Sequence, residues 1–256
     1  MRWFSGVLII SLMLAGCESS HLQKSPDAAT PRAARPAAPE QQAQPPTTLD
    51  RGWTTKVITD QDLLQIYRKD LSLTPETCRE ILARLNARAP YHISDDIRSQ
   101  RPLKVPNDFA AYKGWVPLPP NAPLAMANYA KSILIVKDLP YIGWYERGVL
   151  KGDSYACVGR PGEATEAGFY RVLEKDPDHV SRSYRNSYGE PAWMPWALRI
   201  YDHVWIHAGD VTGAYCSHGC IILPLDPAQD VYRWADPGTV VMVVDSLSDL
   251  SNPRRP

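Results

Sequence analysis

The sequence predicts a mostly β protein, a sandwich or barrel with one or two helices, preceded by a small helical N-terminal segment. Short runs of β-branched and aromatic residues, separated by glycines, prolines and charged turns, follow one another from about residue 130 to residue 244. Helical periodicity is confined to residues 59–89 and to one stretch after Pro224. The 256 residues include 28 basic and 28 acidic side chains, so no basic surface suited to nucleic acid is expected.

The sequence predicts two helix N-termini between residues 49 and 114. Thr59 or Asp60 begins the first, and Thr74 followed by Pro75 begins the second, because threonine caps helices and proline suits the first turn. Cys78 shares an apolar face of the second helix with aliphatic residues and is interpreted as a core side chain. The pair at 89–90, Ala-Pro, is expected to end that helix. We expect a helical hairpin packed against the rest of the protein; a separate recognition module is the alternative.

The β strands are expected in the second half of the chain, with one helix near its end. The expected strands cover residues 132–136, 141–145, 155–158, 168–173, 197–201, 203–207, 221–223 and 240–244. Residues 174–196 break the pattern with charges, tyrosines and prolines, which indicates either a lid or two irregular strands. The sequence at 226–229 is typical of a capping box, so a helix is expected to begin at Asp226.

A histidine and a cysteine lie at the ends of two of these strands. His207 closes an alternating run that predicts a half-buried strand, and Cys220 follows thirteen positions later, just before the apolar run 221–223. Neighbouring strands would place an imidazole beside a thiol, which a cysteine nucleophile needs because only the thiolate attacks. Gly219 allows close backbone approach, and the N–H groups of residues 218–220 would face a developing oxyanion.

Three sequence segments resemble one enzyme family in the same order. The stretch Ser217-His218-Gly219-Cys220, with His207-Ala208-Gly209 before it, resembles the catalytic signature of L,D-transpeptidases, whose catalytic domain is called YkuD-like. Residues 159–170 are similar to the family's Gly-x-x-x-x-x-Thr-Pro-x-Gly-x-Phe pattern, with Glu166 in place of the proline. Residues 194–196 resemble its Met-Pro-aromatic segment. The resemblance covers about residues 115–246 and departs from the family at Ile222, where an arginine is usual.

The resemblance implies a peptidoglycan L,D-transpeptidase that needs no cofactor. His207 would take the proton of Cys220, the Ala208 carbonyl would orient the histidine, the N–H groups around Gly219 would hold the oxyanion, and His218 would shape the site. Candidate substrate-binding residues are Ser217, Trp205, Trp196, Met194 and Thr165. The thioester formed on a tetrapeptide stem would pass to an amine, giving a 3–3 cross-link or attachment of a wall-bound lipoprotein. Hydrolysis by the same fold is the alternative, and carbapenem acylation is a family property.

Two other classes of function use the same residues differently. His203, His207, Cys216, His218 and Cys220 supply nitrogen and sulfur ligands suited to zinc, although their spacing is unlike the usual Cys-x-x-Cys arrangement. A catalytically inactive wall-binding lipoprotein is the other alternative. The catalytic signature explains more residues than either, and His203 is interpreted as structural because no motif includes it.

The N-terminus has the pattern of a bacterial lipoprotein. Residues 1–16 combine Arg2 with a short apolar run, as a signal peptide does, and residues 14–17 resemble a lipobox that ends at Cys17. Residues 17–48 are rich in proline and alanine and read as a disordered tether, and residues 247–256 as a flexible tail. We therefore expect a periplasmic protein anchored by lipid on Cys17, and Glu18 in place of aspartate favours the outer membrane.

The remaining cysteines suggest one disulfide. With Cys17 assigned to lipid, Cys220 to catalysis and Cys78 to a helix face, Cys157 and Cys216 are left in an oxidising compartment. The family places the strand of Cys157 beside the active site, which favours a 157–216 bond. Two alternatives stay open: both cysteines are free, or Cys216 pairs with Cys220 and inactivates the enzyme.

Overall fold

The computed structural model of the protein describes residues 51–186 and 188–250. The expected signal peptide, the lipid-bearing Cys17, the tether at 17–48 and residues 251–256 of the expected tail lie outside the described residues. All described residues belong to one compact unit. Within the described ranges, no helix has both the length and the apolar character needed to cross a membrane.

Three helices and a two-stranded sheet form the N-terminal segment. Its elements are β1 (Trp53–Lys56), α1 (Asp60–Lys69), α2 (Pro75–Asn86), α3 (Pro90–Arg98) and β2 (Leu103–Pro106), and β1 pairs with β2. Thr59 caps α1 in a reciprocal capping box with Asp62, and Thr74 caps α2, both as the sequence indicates.

The expected two-helix hairpin is wrong, because the segment has a third helix. Helix α2 ends at Asn86, and Ala87 leaves it in the left-handed conformation at φ 45°. Pro90 therefore does not end α2 but opens α3, since a proline lacks only an N–H that the first helical turn leaves unbonded.

A buried ion pair joins the last turns of α3 to the short connection between α2 and α3. The Asp96 carboxylate is only 1% exposed and lies 2.5 Å from Arg88 Nε, with Arg101 Nη1 at 2.9 Å. Two guanidinium groups thus compensate one buried charge, and the loss of either leaves that charge poorly paired.

Arg88→Met is therefore expected to destabilise the protein by about 3 kcal/mol, because breaking a buried pair by removing one partner costs on the order of 3–5 kcal/mol and Arg101 still neutralises part of the charge. Urea unfolding of purified protein measures this change. Arg98→Met, which breaks an exposed pair with Asp95 on the same helix, is the control and should change stability by less than about 1 kcal/mol. Equal stability of the two variants would contradict the prediction.

Two larger sheets form the rest of the molecule. The first has five strands in the order β5-β4-β3-β13-β7, and the second has four in the order β12-β10-β9-β8. The strands of the first are β3 (Lys131–Val136), β4 (Tyr141–Glu146), β5 (Val149–Tyr155), β7 (Gly168–Arg171) and β13 (Val240–Val244). Those of the second are β8 (Glu174–Arg185), β9 (Pro191–Tyr201), β10 (Val204–Ala208) and β12 (Ile221–Leu223). A parallel pair of short strands, β6 (Val158–Gly159) and β11 (Tyr215–Ser217), lies between them.

Helix α4 (Leu225–Trp234) follows β12 directly and packs against the second sheet. The expected capping box at Asp226 is wrong: the residue before the helix is Pro224, and no side chain caps it. Asp226 lies instead in the first turn, where its negative charge interacts favourably with the positive end of the helix dipole.

The five-stranded sheet is covered on both faces, as in a sandwich, and the described strands close no barrel. Ile133 and Ile135 of β3 belong to the core shared with the second sheet and α4. Leu134 and Val136, which point the other way, belong to the core shared with the N-terminal helices, together with Cys78 of α2. The mostly β architecture expected from the sequence is confirmed, and the helical segment covers one face of its central sheet.

Residues 174–201 form a long hairpin with a register shift, so of the two alternatives for residues 174–196 the pair of irregular strands is confirmed. Strand β8 pairs antiparallel with β9 from Glu174↔Arg199 to Arg185↔Pro191. Since β9 also pairs with β10, the hairpin is continuous with the strand that carries His207.

Candidate active site

The sheet order brings the residue before β12 close to the middle of β10. Strands β10 and β12 are parallel neighbours, with Ile206 opposite Ile221 and His207 opposite Ile222. Cys220 immediately precedes β12, and its sulfur accepts a hydrogen bond from the backbone N–H of Trp205, on the strand that carries His207. Trp205 and His207 share a face of β10 because they are two residues apart. The strand is buried along its whole length, so the half-buried pattern expected for it is wrong.

His207 is held as a neutral base. Its Nδ1 lies 2.8 Å from the Ala208 carbonyl oxygen, which can only accept, so Nδ1–H is the donor. Burial lowers the pKa of His207 to about 4; the nearby His179 also lowers this pKa, and the Ala208 carbonyl opposes the shift. The remaining ring nitrogen, Nε2, therefore has a free lone pair at neutral pH.

Cys220 is a half-buried free thiol. Burial raises its pKa, and the hydrogen bond from Trp205 N–H lowers the pKa in part by stabilising the thiolate. The net shift of the Cys220 pKa is upward, so the thiol is neutral at rest, as is the His207 imidazole.

A network of hydrogen bonds fixes the turn before Cys220. The Ser217 hydroxyl donates to the Cys220 carbonyl at 2.5 Å and accepts from Gly219 N–H at 3.2 Å. Gly219 has φ 112°, which only glycine adopts without strain. The Thr165 hydroxyl, fully buried, donates to the Gly219 carbonyl at 2.8 Å. Ser217 and Thr165, expected to bind substrate, are placed by the structure to hold the catalytic turn.

A cavity of about 420 Å³ opens at Cys220. It is lined by Glu174, His179, Ser181, Arg182, Ser183, Tyr184, Met194, Arg199, Asp202, His203, Trp205 and Cys220. Of the candidate substrate-binding residues, Met194 and Trp205 line it. Trp196 instead packs edge-on against Tyr232 of α4, with ring centroids 5.3 Å apart.

The hairpin contributes a histidine that sequence reasoning did not single out. His179 stacks on the Trp205 ring with centroids 3.9 Å apart, and its Nδ1 lies 3.0 Å from the Asp176 carboxylate. It influences the pKa of His207 directly. No sequence motif includes His179. The one clue was that it lies in residues 174–196, and a lid formed by those residues would bring its histidine close to the site.

His218 links the catalytic turn to the tip of the hairpin. Its ring stacks on Tyr184 with centroids 4.4 Å apart, and its Nε2 lies 3.8 Å from the Glu163 carboxylate. His218 does not line the cavity itself, but it packs against Tyr184, which does.

A disulfide ties the loop before Cys220 to the neighbouring strand. Cys157 and Cys216 are bonded, with their Cα atoms 5.6 Å apart, and this is the pair that the sequence suggested. Cys157 also exchanges two backbone hydrogen bonds with Ile222, each 2.9 Å long. A Cβ on residue 209 would lie 2.8 Å from the Ile222 side chain. Ile222, at the position of the family's arginine, is therefore packed between Gly209 and the disulfide-bonded strand and does not line the cavity.

The zinc alternative requires a cluster of metal ligands, and the part of the chain that the structure describes contains none. There, no three histidine, cysteine, aspartate or glutamate side chains come together in a group able to hold a metal ion.

Fold and site together define a mostly β domain with a cysteine and a neutral histidine at the edge of its second sheet. Residues 130–243 match the family model of the L,D-transpeptidase catalytic domain, YkuD. Over that range, which is less than half of the chain, the sequence is similar to this catalytic domain. Comparison with curated proteins gives no match.

Solved structures of several L,D-transpeptidases are similar to part of the chain. One from Mycobacterium tuberculosis H37Rv is 24% identical, with a TM-score of 0.41, and one from Mycobacterium smegmatis is 23% identical, with a TM-score of 0.41. One from Enterococcus faecium is 22% identical, with a TM-score of 0.40. Each match covers 45% of this chain, and 58%, 58% and 50% of the solved chains in the same order. The chain thus spans less than two thirds of their length.

Proposed function

We propose that the protein is a peptidoglycan L,D-transpeptidase with Cys220 as nucleophile and His207 as general base. The observation that carries the proposal is the neutral His207, whose Nδ1–H is committed to the Ala208 carbonyl, while Cys220 directly precedes the strand that pairs with the His207 strand. This arrangement supplies an imidazole lone pair to a thiol that burial keeps protonated.

The first half-reaction forms a thioester. His207 Nε2 takes the Cys220 proton while the sulfur bonds to the carbonyl carbon at the L-centre of diaminopimelate in a tetrapeptide stem. The tetrahedral oxyanion would be held by the backbone N–H groups of the turn, with those of His218 and Cys220 favoured because Gly219 N–H already donates to Ser217. On collapse the carbon–nitrogen bond breaks, and the D-alanine amine leaves with the proton from His207.

The second half-reaction releases the enzyme. A neutral amine from a neighbouring stem attacks the thioester carbonyl and loses its proton to His207. The carbon–sulfur bond then breaks, and the Cys220 thiolate recovers the proton. The product is a 3–3 cross-link, or an attached protein where the amine belongs to a wall-bound lipoprotein. Water as the acceptor would give the hydrolytic alternative.

Incubating the purified protein with disaccharide tetrapeptide and analysing the products by mass spectrometry tests this function. Transfer predicts a cross-linked dimer and free D-alanine. Tripeptide without dimer would replace transfer by hydrolysis. No D-alanine release, together with no carbapenem adduct on Cys220, would overturn the proposal.

We also propose that the protein is periplasmic and held at the outer membrane by lipid on Cys17. The support is the lipobox-like sequence at 14–17 and the tether that follows it. The stem peptides that the enzyme would act on lie in the same compartment.

Cys17→Ala should therefore release the protein from the membrane pellet into the soluble periplasmic fraction, since the acyl chains have no other attachment point. Fractionation followed by immunoblotting measures the shift. Glu18→Asp is the matched control: it keeps the lipid but should move the protein to the inner membrane. Wild-type protein that fractionates as fully soluble would rule out the anchor.

A further inference from the structure

We propose that Asp210 and residues 88–92 of the N-terminal segment form a positioning element for the active site. They would fix the loop that joins His207 to Cys220, and so the orientation of His207. The inference rests on the proposed function and assigns the helical segment a role in it.

Backbone contacts fix the middle of this loop. Ala89 N–H donates to the Val211 carbonyl at 2.9 Å, and the Arg88 guanidinium donates to the Thr212 carbonyl. Val211 is 1% exposed and belongs to the core shared with α2. The start of α3 and the centre of the loop therefore hold each other in place.

Two side chains of α3 converge on one carboxylate oxygen of the loop. The Tyr91 hydroxyl donates to Asp210 Oδ1, and His92 Nε2 lies 2.7 Å from the same oxygen. The tyrosine and histidine rings contact each other, with centroids 4.5 Å apart. Asp210 is thus held from one side by the helical segment.

Asp210 lies two residues after the carbonyl that orients the catalytic histidine. The Ala208 carbonyl accepts from His207 Nδ1–H, and Gly209 N–H donates to the Leu223 carbonyl at 3.0 Å. A rotation of the chain at 209–210 would turn the Ala208 carbonyl and with it the His207 ring. Asp210 would act through Ala208, as a positioning residue and not a catalytic one.

The far end of the loop is fixed independently. Cys216 is bonded to Cys157, so a shift at Asp210 cannot be passed on freely to the catalytic turn. The loop is consequently held at its start by β12, in its middle by α3 and at its end by the disulfide. Removal of the middle contact should affect the histidine side more than the cysteine side.

The contacts of Asp210 are suited to positioning because they add little to stability. Its side chain is 50% exposed and that of His92 is 20% exposed. Ion pairs and hydrogen bonds at such exposure contribute little to the free energy of unfolding. A misplacement of about 1 Å at a catalytic group, in contrast, can cost on the order of 100-fold in rate.

The test is D-alanine release from disaccharide tetrapeptide by the full chain. Asp210→Ala is expected to lower kcat by about 10- to 100-fold, with KM changed by less than about 3-fold and an unchanged melting temperature. Asp210→Asn should restore most of kcat, because an amide oxygen still accepts from the Tyr91 hydroxyl. Asp60→Ala is the control: it removes an ion pair with Arg79 in the same helical segment, at a carboxylate that is 59% exposed.

A second variant protects the test against misfolding. Tyr91→Phe combined with His92→Phe removes both donors and leaves Asp210 in place, and it should reproduce the loss of kcat. If Asp210→Ala and this double variant both keep the kcat of the Asp60→Ala control, the positioning role is overturned while the proposed function stands. If wild-type protein releases no D-alanine and forms no carbapenem adduct, the proposed function itself is overturned.

Discussion

Cys220→Ala is expected to abolish D-alanine release and carbapenem adduct formation while leaving the fold intact. No other described free thiol can replace Cys220, because Cys78 is fully buried in the helical core. Alanine also fits the site sterically, since the Cys220 side chain packs against Met194, Ala197 and Trp205 and bears no buried charge. Mass spectrometry of the intact protein after carbapenem treatment, with circular dichroism as a fold check, measures the result.

Cys78→Ala is the matched thiol control for this experiment. It removes the other described free cysteine without touching the cavity, so the adduct should still form on Cys220. Full turnover in Cys220→Ala would show that the cysteine is not the nucleophile and would reject the mechanism.

His207→Ala is expected to lower the rate of carbapenem acylation by about 100- to 10,000-fold, the range typical of a lost general base. The reason is the raised pKa of Cys220: without a neighbouring base, little of the thiol ionises at neutral pH. Stopped-flow fluorescence measures the acylation rate. Acylation of His207→Ala at the wild-type rate would assign the base role to another residue.

The same histidine predicts an unusual pH profile. A histidine with an ordinary pKa of about 6.5 would lose its base form below pH 6.5. Because burial lowers the pKa of His207 to about 4, its neutral form persists to more acidic pH. Wild-type acylation is therefore expected to change by less than about 2-fold between pH 7 and pH 5.5 and to fall as pH approaches 4.

The free energy of unfolding should also decrease as His207 becomes protonated at acidic pH. The unfolded chain takes up a proton on His207 below about pH 6.5, whereas the folded protein does not until about pH 4. The stability associated with the neutral, buried imidazole is therefore present above pH 6.5 and is lost as pH falls from 6.5 toward 4.

Sequence patterns predicted the parts of the fold whose burial is uniform. Val240–Val244 and Lys131–Val136 are nearly continuous apolar runs, and they form two adjacent interior strands of the five-stranded sheet. Helix caps were equally readable at Thr59 and Thr74, because capping depends on the local sequence. The interpretation of Pro90 was wrong because local sequence does not show where the preceding helix stops. That position decides whether a proline ends one helix or begins the next.

The sequence left residues 174–196 open between a lid and two irregular strands, because the burial of these residues follows no simple alternation. Pro195 lies buried within β9, and Val180 and Trp193 pair across the hairpin with both side chains exposed. The position of His179 beside Trp205 depends entirely on this hairpin, so no local pattern indicates it. The placement of Cys220 and His207 on or beside neighbouring strands was predictable because each adjoins an apolar run. Trp196 and Thr165 belong to similar motifs but do not line the cavity, since a motif does not specify where a side chain points.

The disulfide also determines how Cys220 responds to oxidants. Because Cys216 is already bonded to Cys157 and Cys78 is fully buried, no described thiol is available to condense with a sulfenic acid formed on Cys220. No described residue can therefore reduce an oxidised Cys220 back to the thiol. Recovery of the thiol depends on a small-molecule or protein reductant that enters through the cavity, and prolonged exposure to peroxide leads to irreversible sulfinic acid.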